Sequence, residues 1–467
     1  MNAKNGNNGD GIDALVIKYE SSSKSGQTLF FDENSFLQLI EFYEREERLD
    51  KAIEVANQAI ERYLFSVDFY LRKAELLIDA GKEKAALKTL DRAEAFAPGQ
   101  LEITLLKAEA LTYLDRGGEA LEMLEDVKLL SNKNTFGEIY LMESLVHEFN
   151  HDYELMFQVL KSAIKLDPEN DEALERLWLA VELSRKYKES ISLHKEIINE
   201  HPYSYMAWYN LGHAYAYLGN YEEAIEAYEF SFVINENFEY AIRDCADLCF
   251  ETNQFRKAIK YYMELLDDAE ADSDLFQKIG ESYQQLGNGA KAVEYFRQAL
   301  KLDPLNDEVY YHMGECFALQ GHWKEAARFY KKAVEIEDGR EEYFGGLALA
   351  KAELGALEEA EDHFRKAVEI APDETRFWME YASFLVRFDR TEDALSLLTV
   401  AEITADSALL QFGQVACLFS LGRRKEASLL LWQVMEEGGE DYTVIFDMVP
   451  ELEYDEEIQT ILSSYLP

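Results

Sequence analysis

Proline is scarce in this sequence, with 7 residues in 467. Proline breaks helix interiors, so its scarcity suits a chain that is helical throughout. Cysteine is scarcer: Cys245, Cys249, Cys316 and Cys417 are too few to staple a chain of this length with disulfides. Positive charge is also short, with 46 Lys and Arg against 91 Asp and Glu, a formal net charge of -45. Phosphate binding relies on Lys and Arg displacing counterions, so most of this surface repels nucleic acid. A long apolar run and a charged-then-apolar leader are both missing, which gives the expectation of a soluble, cytoplasmic protein without membrane insertion. Sites of chemistry are missing too. The Gly287, Gly289 and Lys291 group lacks phosphate-loop spacing, and Gly345-Gly346 follows no strand. The 8 His, among them His312 and His322, form no zinc-ligand pattern. No enzyme activity, cofactor or metal is expected.

What the chain does have is apolar and aromatic content: 48% hydrophobic residues, 28 Tyr and 27 Phe. The stretch Tyr205 to Glu236 shows how they are used. Trp208, Leu211, Gly212 and Tyr215 stand at i, i+3, i+4 and i+7, and Ala224, Tyr228 and Ser231 repeat the pattern, so two short amphipathic helices are predicted. Gly219 suits the left-handed residue that closes the first, and Asn220 is placed to cap the second. Ala224, Ala258, Ala292, Ala326, Ala360 and Ala394 then recur every 34 residues. Small residues at that spacing mark where two helices cross closely. One helical turn later Tyr228, Tyr262, Phe296, Tyr330, Phe364 and Leu398 keep step, and Ala52, Ala86 and Ala120 hold the period upstream.

The order Trp-x2-Leu-Gly-x2-Tyr, then Ala, resembles the tetratricopeptide repeat, a helix–turn–helix of 34 residues. The resemblance implies an all-α, right-handed superhelical solenoid of about twelve hairpins. In such a solenoid each repeat buries its apolar face only against its neighbours, so no interior domain boundary is needed. Five prolines, Pro98, Pro168, Pro202, Pro304 and Pro372, fall at the family's turn after the second helix. Two extra residues between Pro98 and Pro168 fit best in Ser131 to Thr135, and a one-residue shortening precedes Gly422 and Ala427. The repeat at residues 137–170 is the weakest, since His147 and Met156 replace the expected aromatic and alanine, and local distortion is an open question there.

The solenoid is expected over residues 31–441, with a flexible segment at 1–30 and capping helices at 442–467. Met1 to Gly11 is too polar to order itself. Ile12 to Tyr19 reads as a strand or a short helix, and Ser21 to Gln27 as a link. Asp32 is a good N-cap for the first repeat helix, with Phe31 as its staple. Near the C-terminus, Tyr442, Ile445, Phe446 and Val449 make one apolar stripe, and Ile458, Ile461, Leu462 and Tyr465 another. Capping of the last repeat is the simplest use of these stripes, and homo-oligomerisation is the alternative. Cys245 and Cys249 stand one helical turn apart, a spacing compatible with metal ligation, but they occupy the positions of Leu211 and Tyr215, where core thiols are expected.

The resemblance also implies a ligand groove lined by the first helix of each repeat at its second, fifth and ninth positions. Here those are Met206, Tyr209 and His213; Tyr240, Arg243 and Asp247; Asp274, Gln277 and Glu281; Glu308, Tyr311 and Glu315. This acidic, aromatic set suits a protein or peptide segment carrying Lys or Arg beside apolar anchors. Of the residues with which related repeats clamp a peptide carboxylate, only Arg243 and Asn210 have counterparts. A non-catalytic interaction scaffold is the first functional reading. The alternative is a regulatory subunit, or an array presenting substrate to a separate enzyme.

Overall fold

A computed structural model describes residues 9–25, 30–130, 135–268, 272–405 and 407–465. Every regular element among the described residues is helical. Helix α1 (Gly9–Ser25) precedes twelve helix pairs. The first four are α2 (Glu33–Arg45) with α3 (Leu49–Arg62), α4 (Val67–Asp79) with α5 (Glu83–Glu94), α6 (Leu101–Tyr113) with α7 (Gly117–Leu130), and α8 (Phe136–Phe149) with α9 (Tyr153–Leu166). Next come α10 (Asp171–Ser184) with α11 (Tyr187–Glu200), α12 (Tyr205–Tyr217) with α13 (Tyr221–Ile234), α14 (Glu239–Glu251) with α15 (Phe255–Asp268), and α16 (Ser273–Gln285) with α17 (Gly289–Leu302). The last four are α18 (Asp307–Ala318) with α19 (Trp323–Ile336), α20 (Glu341–Glu353) with α21 (Leu357–Ile370), α22 (Thr375–Arg387) with α23 (Thr391–Thr404), and α24 (Ala408–Ser420) with α25 (Arg424–Glu436). They are followed by α26 (Val444–Met448), a 3-10 turn at Pro450–Tyr454, and α27 (Glu456–Leu462). The fold class is thus an all-α array of helix hairpins.

Each hairpin is closed by one backbone device. A residue with left-handed φ follows the first helix, and the next N–H bonds back to a carbonyl in its last turn, as in Asn220 to Tyr215 at 3.0 Å and Lys186 to Val181 at 3.1 Å. Glycine fills this position at Gly81, Gly219, Gly287, Gly321, Gly355 and Gly422. Glu47, Asp115, His151, Arg185, Asn253 and Asp389 fill it elsewhere, with φ between 55° and 61°. Asn220 stands at the N-cap of α13 but makes no side-chain cap hydrogen bond, contrary to expectation. Asn288, at the same repeat position, accepts from Lys291 N at 3.3 Å.

Within each pair the repeated small residues set the approach. The alanines of the 34-residue lattice, from Ala52 to Ala394, are buried without exposure. A Cβ on Gly212 would lie 2.6 Å from the Tyr228 ring, and one on Gly280 2.5 Å from the Phe296 ring, so the aromatic occupies the space a side chain would need. Trp208 and Trp378 tie their own two pairs to the preceding turn, their indole N–H groups donating to the Pro202 and Pro372 carbonyls at 2.9 Å.

The chain divides into two compact units, Met1–Ala241 and Ile242–Pro467. The division falls inside α14, not in a linker. In the first unit α1 takes the helical alternative for Ile12 to Tyr19. Tyr19 is buried, and Glu20 accepts from Lys51 at 2.8 Å and Tyr43 at 3.2 Å. The helix continues through Ser25, over most of the expected link. Met1 to Asn8, Gly26 and Gln27 lie outside the described residues. Asp32 accepts from Ser35 N at 2.8 Å, and Phe31 packs on Phe36 with ring centroids 5.8 Å apart, as the staple requires. The hairpin α8–α9 is regular: Met156 is fully buried, and burial of His147 lowers the pKa of its imidazole. Of the residues proposed to hold the insertion, only Thr135 is described, just ahead of α8. In the second unit the shortening falls in the loop between α23 and α24. There Ile445, Ile458, Ile461 and Leu462 join the core of the last pairs, and Arg424 pairs with Asp455 at 2.7 Å and Glu457 at 2.9 Å.

Candidate functional site

In the first unit the groove positions form an aromatic knot. Tyr209 meets His213 at 4.4 Å and Phe238 at 4.9 Å between ring centroids, and His213 stacks on Trp178 at 4.6 Å. The Tyr228 hydroxyl, reaching across from α13, lies 3.1 Å from His213 Nδ1. Tyr209 and His213 are therefore half-buried. Met206 is buried, and Tyr240 is 70% exposed. Asn210 does not belong to a carboxylate clamp, since it is buried and donates to the Leu174 carbonyl at 2.7 Å.

In the second unit most of the acids face one another's donors. Asp247 accepts from the Tyr262 hydroxyl, whose pKa is pushed well above the usual range, first by burial and then by that carboxylate. Glu281, buried, receives Gln277 Nε2 at 2.8 Å and lies 3.3 Å from Lys278 Nζ and 3.6 Å from His312 Nε2. Gln277 reaches Glu308 at 3.2 Å and accepts from Asn306 at 2.9 Å, while Glu308 pairs with Arg340 at 2.9 Å. Tyr311 donates to Glu315 at 3.1 Å and lies ring to ring with Tyr343 at 5.1 Å. Arg243 is 3.5 Å from Asp272, and Asp274 stands exposed at the start of α16. Gln277, Glu281 and Glu308 thus form one network, with Tyr311–Glu315 as a second pair. Asp274 is the exposed carboxylate of the set.

The same unit holds a concavity that the sequence reading missed. Its volume is about 390 Å³, and it lies on the first helices α20, α22 and α24, with α26 as a wall. Leu349, Arg376, Met379, Ser383 and Leu409 line it, together with Val444 and Met448 of α26. The first five occupy second, fifth and ninth repeat positions, so counting the groove positions three repeats beyond Glu315 would have found them. The contribution of α26 carries no repeat signal. Gly345 and Gly346 are explained here: a Cβ on the first would meet Phe377 at 2.8 Å, and one on the second Tyr330 at 2.7 Å.

Comparison with known proteins identifies the repeat unit. Family models described as tetratricopeptide repeat match residues 41–100, 205–238, 278–341 and 341–374. The chain is built of tetratricopeptide repeats. Among solved structures it is similar to a tetratricopeptide repeat protein from Parabacteroides merdae, with 15% identity over 53% of this chain and 97% of that one and a TM-score of 0.42. It is similar also to the Cut9–Hcn1 hetero-tetramer of APC/C, with 13% identity over 93% and 94% and a TM-score of 0.38. YrrB, described as having an unusual peptide-binding site, gives 20% identity over 39% and 95% and a TM-score of 0.34. No curated protein matches the chain.

Other chemistry gains little from the tetratricopeptide framework. All four cysteines are buried, and burial pushes the thiols of Cys316 and Cys417 up to about 12. Among the described residues no group of His, Cys, Asp and Glu has the arrangement of a metal site. His194 is enclosed in α11, where burial pushes its imidazole down to about 4 and leaves it a neutral core residue. No described helix is long and apolar enough to cross a membrane.

Proposed function

We propose that this protein is a non-catalytic scaffold that holds a basic, apolar-anchored segment of another protein on the first-helix face of its tetratricopeptide repeats. Support comes from the family, whose repeats serve as protein-interaction scaffolds. The observation that carries the reading is the exposure of second positions, Tyr240 in the first unit and Asp274 in the second, in a chain that bears a charge of -45. Acids steer a basic segment toward the surface, and an exposed tyrosine offers contact area at low entropic cost. Tyr209, Tyr311 and Glu281 contribute less directly, by shaping the floor. The last helices, α26 and α27, act as a cap on the final pair, with their apolar stripes turned inward. The test is a pull-down from cell extract, then binding kinetics of the eluted partner against the parent, Tyr240→Ala and Asp274→Lys at rising salt. The expected result is slower association for Asp274→Lys and faster dissociation for Tyr240→Ala. Binding unchanged in both folded variants would move the partner surface off this face.

A further inference from the structure

We infer that the concavity on α20, α22 and α24 seats one bulky apolar side chain of a partner segment, and that Glu380 takes a hydrogen bond from a Lys or Arg beside that anchor. The inference rests on the scaffold reading and supplies what it lacks. The acids and tyrosines from Met206 to Glu315 are mostly engaged with one another, so they offer steering but little room for an anchor.

The concavity is open, and its lining is apolar where it is deepest. Leu349 is 39% exposed, while Met379 and Met448 are each only 8% exposed and present thioethers that adapt to the shape of a guest. A volume of about 390 Å³ accepts a leucine, phenylalanine or tryptophan side chain with part of its backbone.

The charge at the rim selects the neighbours of the anchor. Glu353, Glu380 and Asp447 face Arg376 and Arg387 around the opening. Arg387 is held by Glu353, and Arg376 Nε donates to Glu380 Oε1 at 2.8 Å. Glu380 Oε2 is buried and receives no hydrogen bond from a described residue. A buried carboxylate oxygen in that condition favours a donor, and a charged donor most of all. Both guanidiniums are engaged by Glu353 and Glu380, and with Asp447 the rim keeps a net negative charge, so an acidic guest finds no free counter-charge there. A second copy of this chain, itself at -45, is disfavoured for the same reason.

The experiment uses the full chain with 13C-labelled methionine methyls and short blocked peptides carrying a phenylalanine between two lysines. Two controls carry alanine at the centre or glutamates at the flanks. The expected result is a shift of the Met379 and Met448 methyls with the lysine–phenylalanine peptide, and affinity lower by at least about tenfold for the alanine peptide. Glu380→Gln should narrow the preference for lysine over glutamate flanks. Leu349→Asn, at an exposed rim position that leaves the fold intact, should weaken the phenylalanine peptide several-fold. Unmoved pocket methyls overturn the inference, and so does a shift indifferent to flanking charge and to Glu380→Gln. Methyl shifts that depend on protein concentration alone and vanish in Leu349→Asn overturn it in favour of a second copy. Asp274→Lys separates the two readings. Pocket binding that survives it keeps the anchor site and removes the acidic approach, whereas weakened binding with unmoved methyls does the reverse.

Discussion

The first helices α16 and α18 and the first helices α20, α22 and α24 place side chains at the same repeat positions and put them to opposite uses. On α16 and α18 those positions hold Gln277, Glu281, Glu308, Tyr311 and Glu315, whose polar atoms are satisfied by one another and by Asn306, Lys278 and Arg340. On α20 to α24 they hold Leu349, Arg376, Met379, Ser383 and Leu409; Arg376 turns to Glu380, and the others line a hollow. The difference shows that position in the repeat says which side chains face the groove, while side-chain chemistry says whether the groove there is closed or open. Polar residues of sufficient length close it by reaching their neighbours. Short and apolar residues leave it open.

The largest expected effect tests whether the two stretches are energetically separate. Ala292→Glu puts an unpaired carboxylate at a fully buried lattice position and should cost about 3–5 kcal/mol. Repeats couple through nearest neighbours, so hydrogen exchange should rise over α16 to α18 while α22 to α24 stay protected. An equal rise in both stretches would show them to be one cooperative body. Next in size, Gly280→Ala forces a Cβ to 2.5 Å from the Phe296 ring and should lower stability by about 1–3 kcal/mol, read from the denaturation midpoint.

The polar network sharpens the contrast more directly. Gln277→Leu strands Glu281 and Asn306 and should cost about 1–3 kcal/mol, whereas Leu349→Ala on the open stretch should stay within about 0.5 kcal/mol. Similar losses in the two variants would mean the hollow is as tightly integrated as the network. A smaller effect concerns the turns. Asp389 closes α22 at φ 59°, where Gly287 closes α16 at φ 74°. Asp389→Gly should therefore stabilise by about 0.5–1 kcal/mol, checked by urea denaturation, because the left-handed strain relieved exceeds the flexibility gained in the unfolded chain. The smallest change is kinetic. Asp274→Lys should leave stability unaltered and slow association of a basic partner a few-fold at low salt, with the difference fading at high salt.

The helix pairs were legible because two independent constraints recur at one spacing. A small residue is needed where helices cross, hence the alanines from Ala52 to Ala394, and proline is tolerated only after a helix ends, hence Pro98 to Pro372. Half of the left-handed turns were less legible. Glu47, Asp115, His151, Arg185, Asn253 and Asp389 adopt the conformation of a glycine without announcing it, because the helix-closing hydrogen bond outweighs the strain of a single residue. Asn220 erred in the other direction, standing at the N-cap of α13 without a side-chain cap hydrogen bond.

By itself the sequence determined the all-α class, the pairing of helices and the tetratricopeptide identity, because these depend on which residue types tolerate a close crossing or a turn, and those preferences are local. Tertiary structure decided the state of the groove. Whether Glu281 faces solvent or Gln277, whether Tyr209 stands open or packs on Phe238, and whether α26 walls a hollow over Met379 depend on distances between residues far apart in the chain. A repeat pattern states which way each side chain points, but not how far the side chain opposite it will reach.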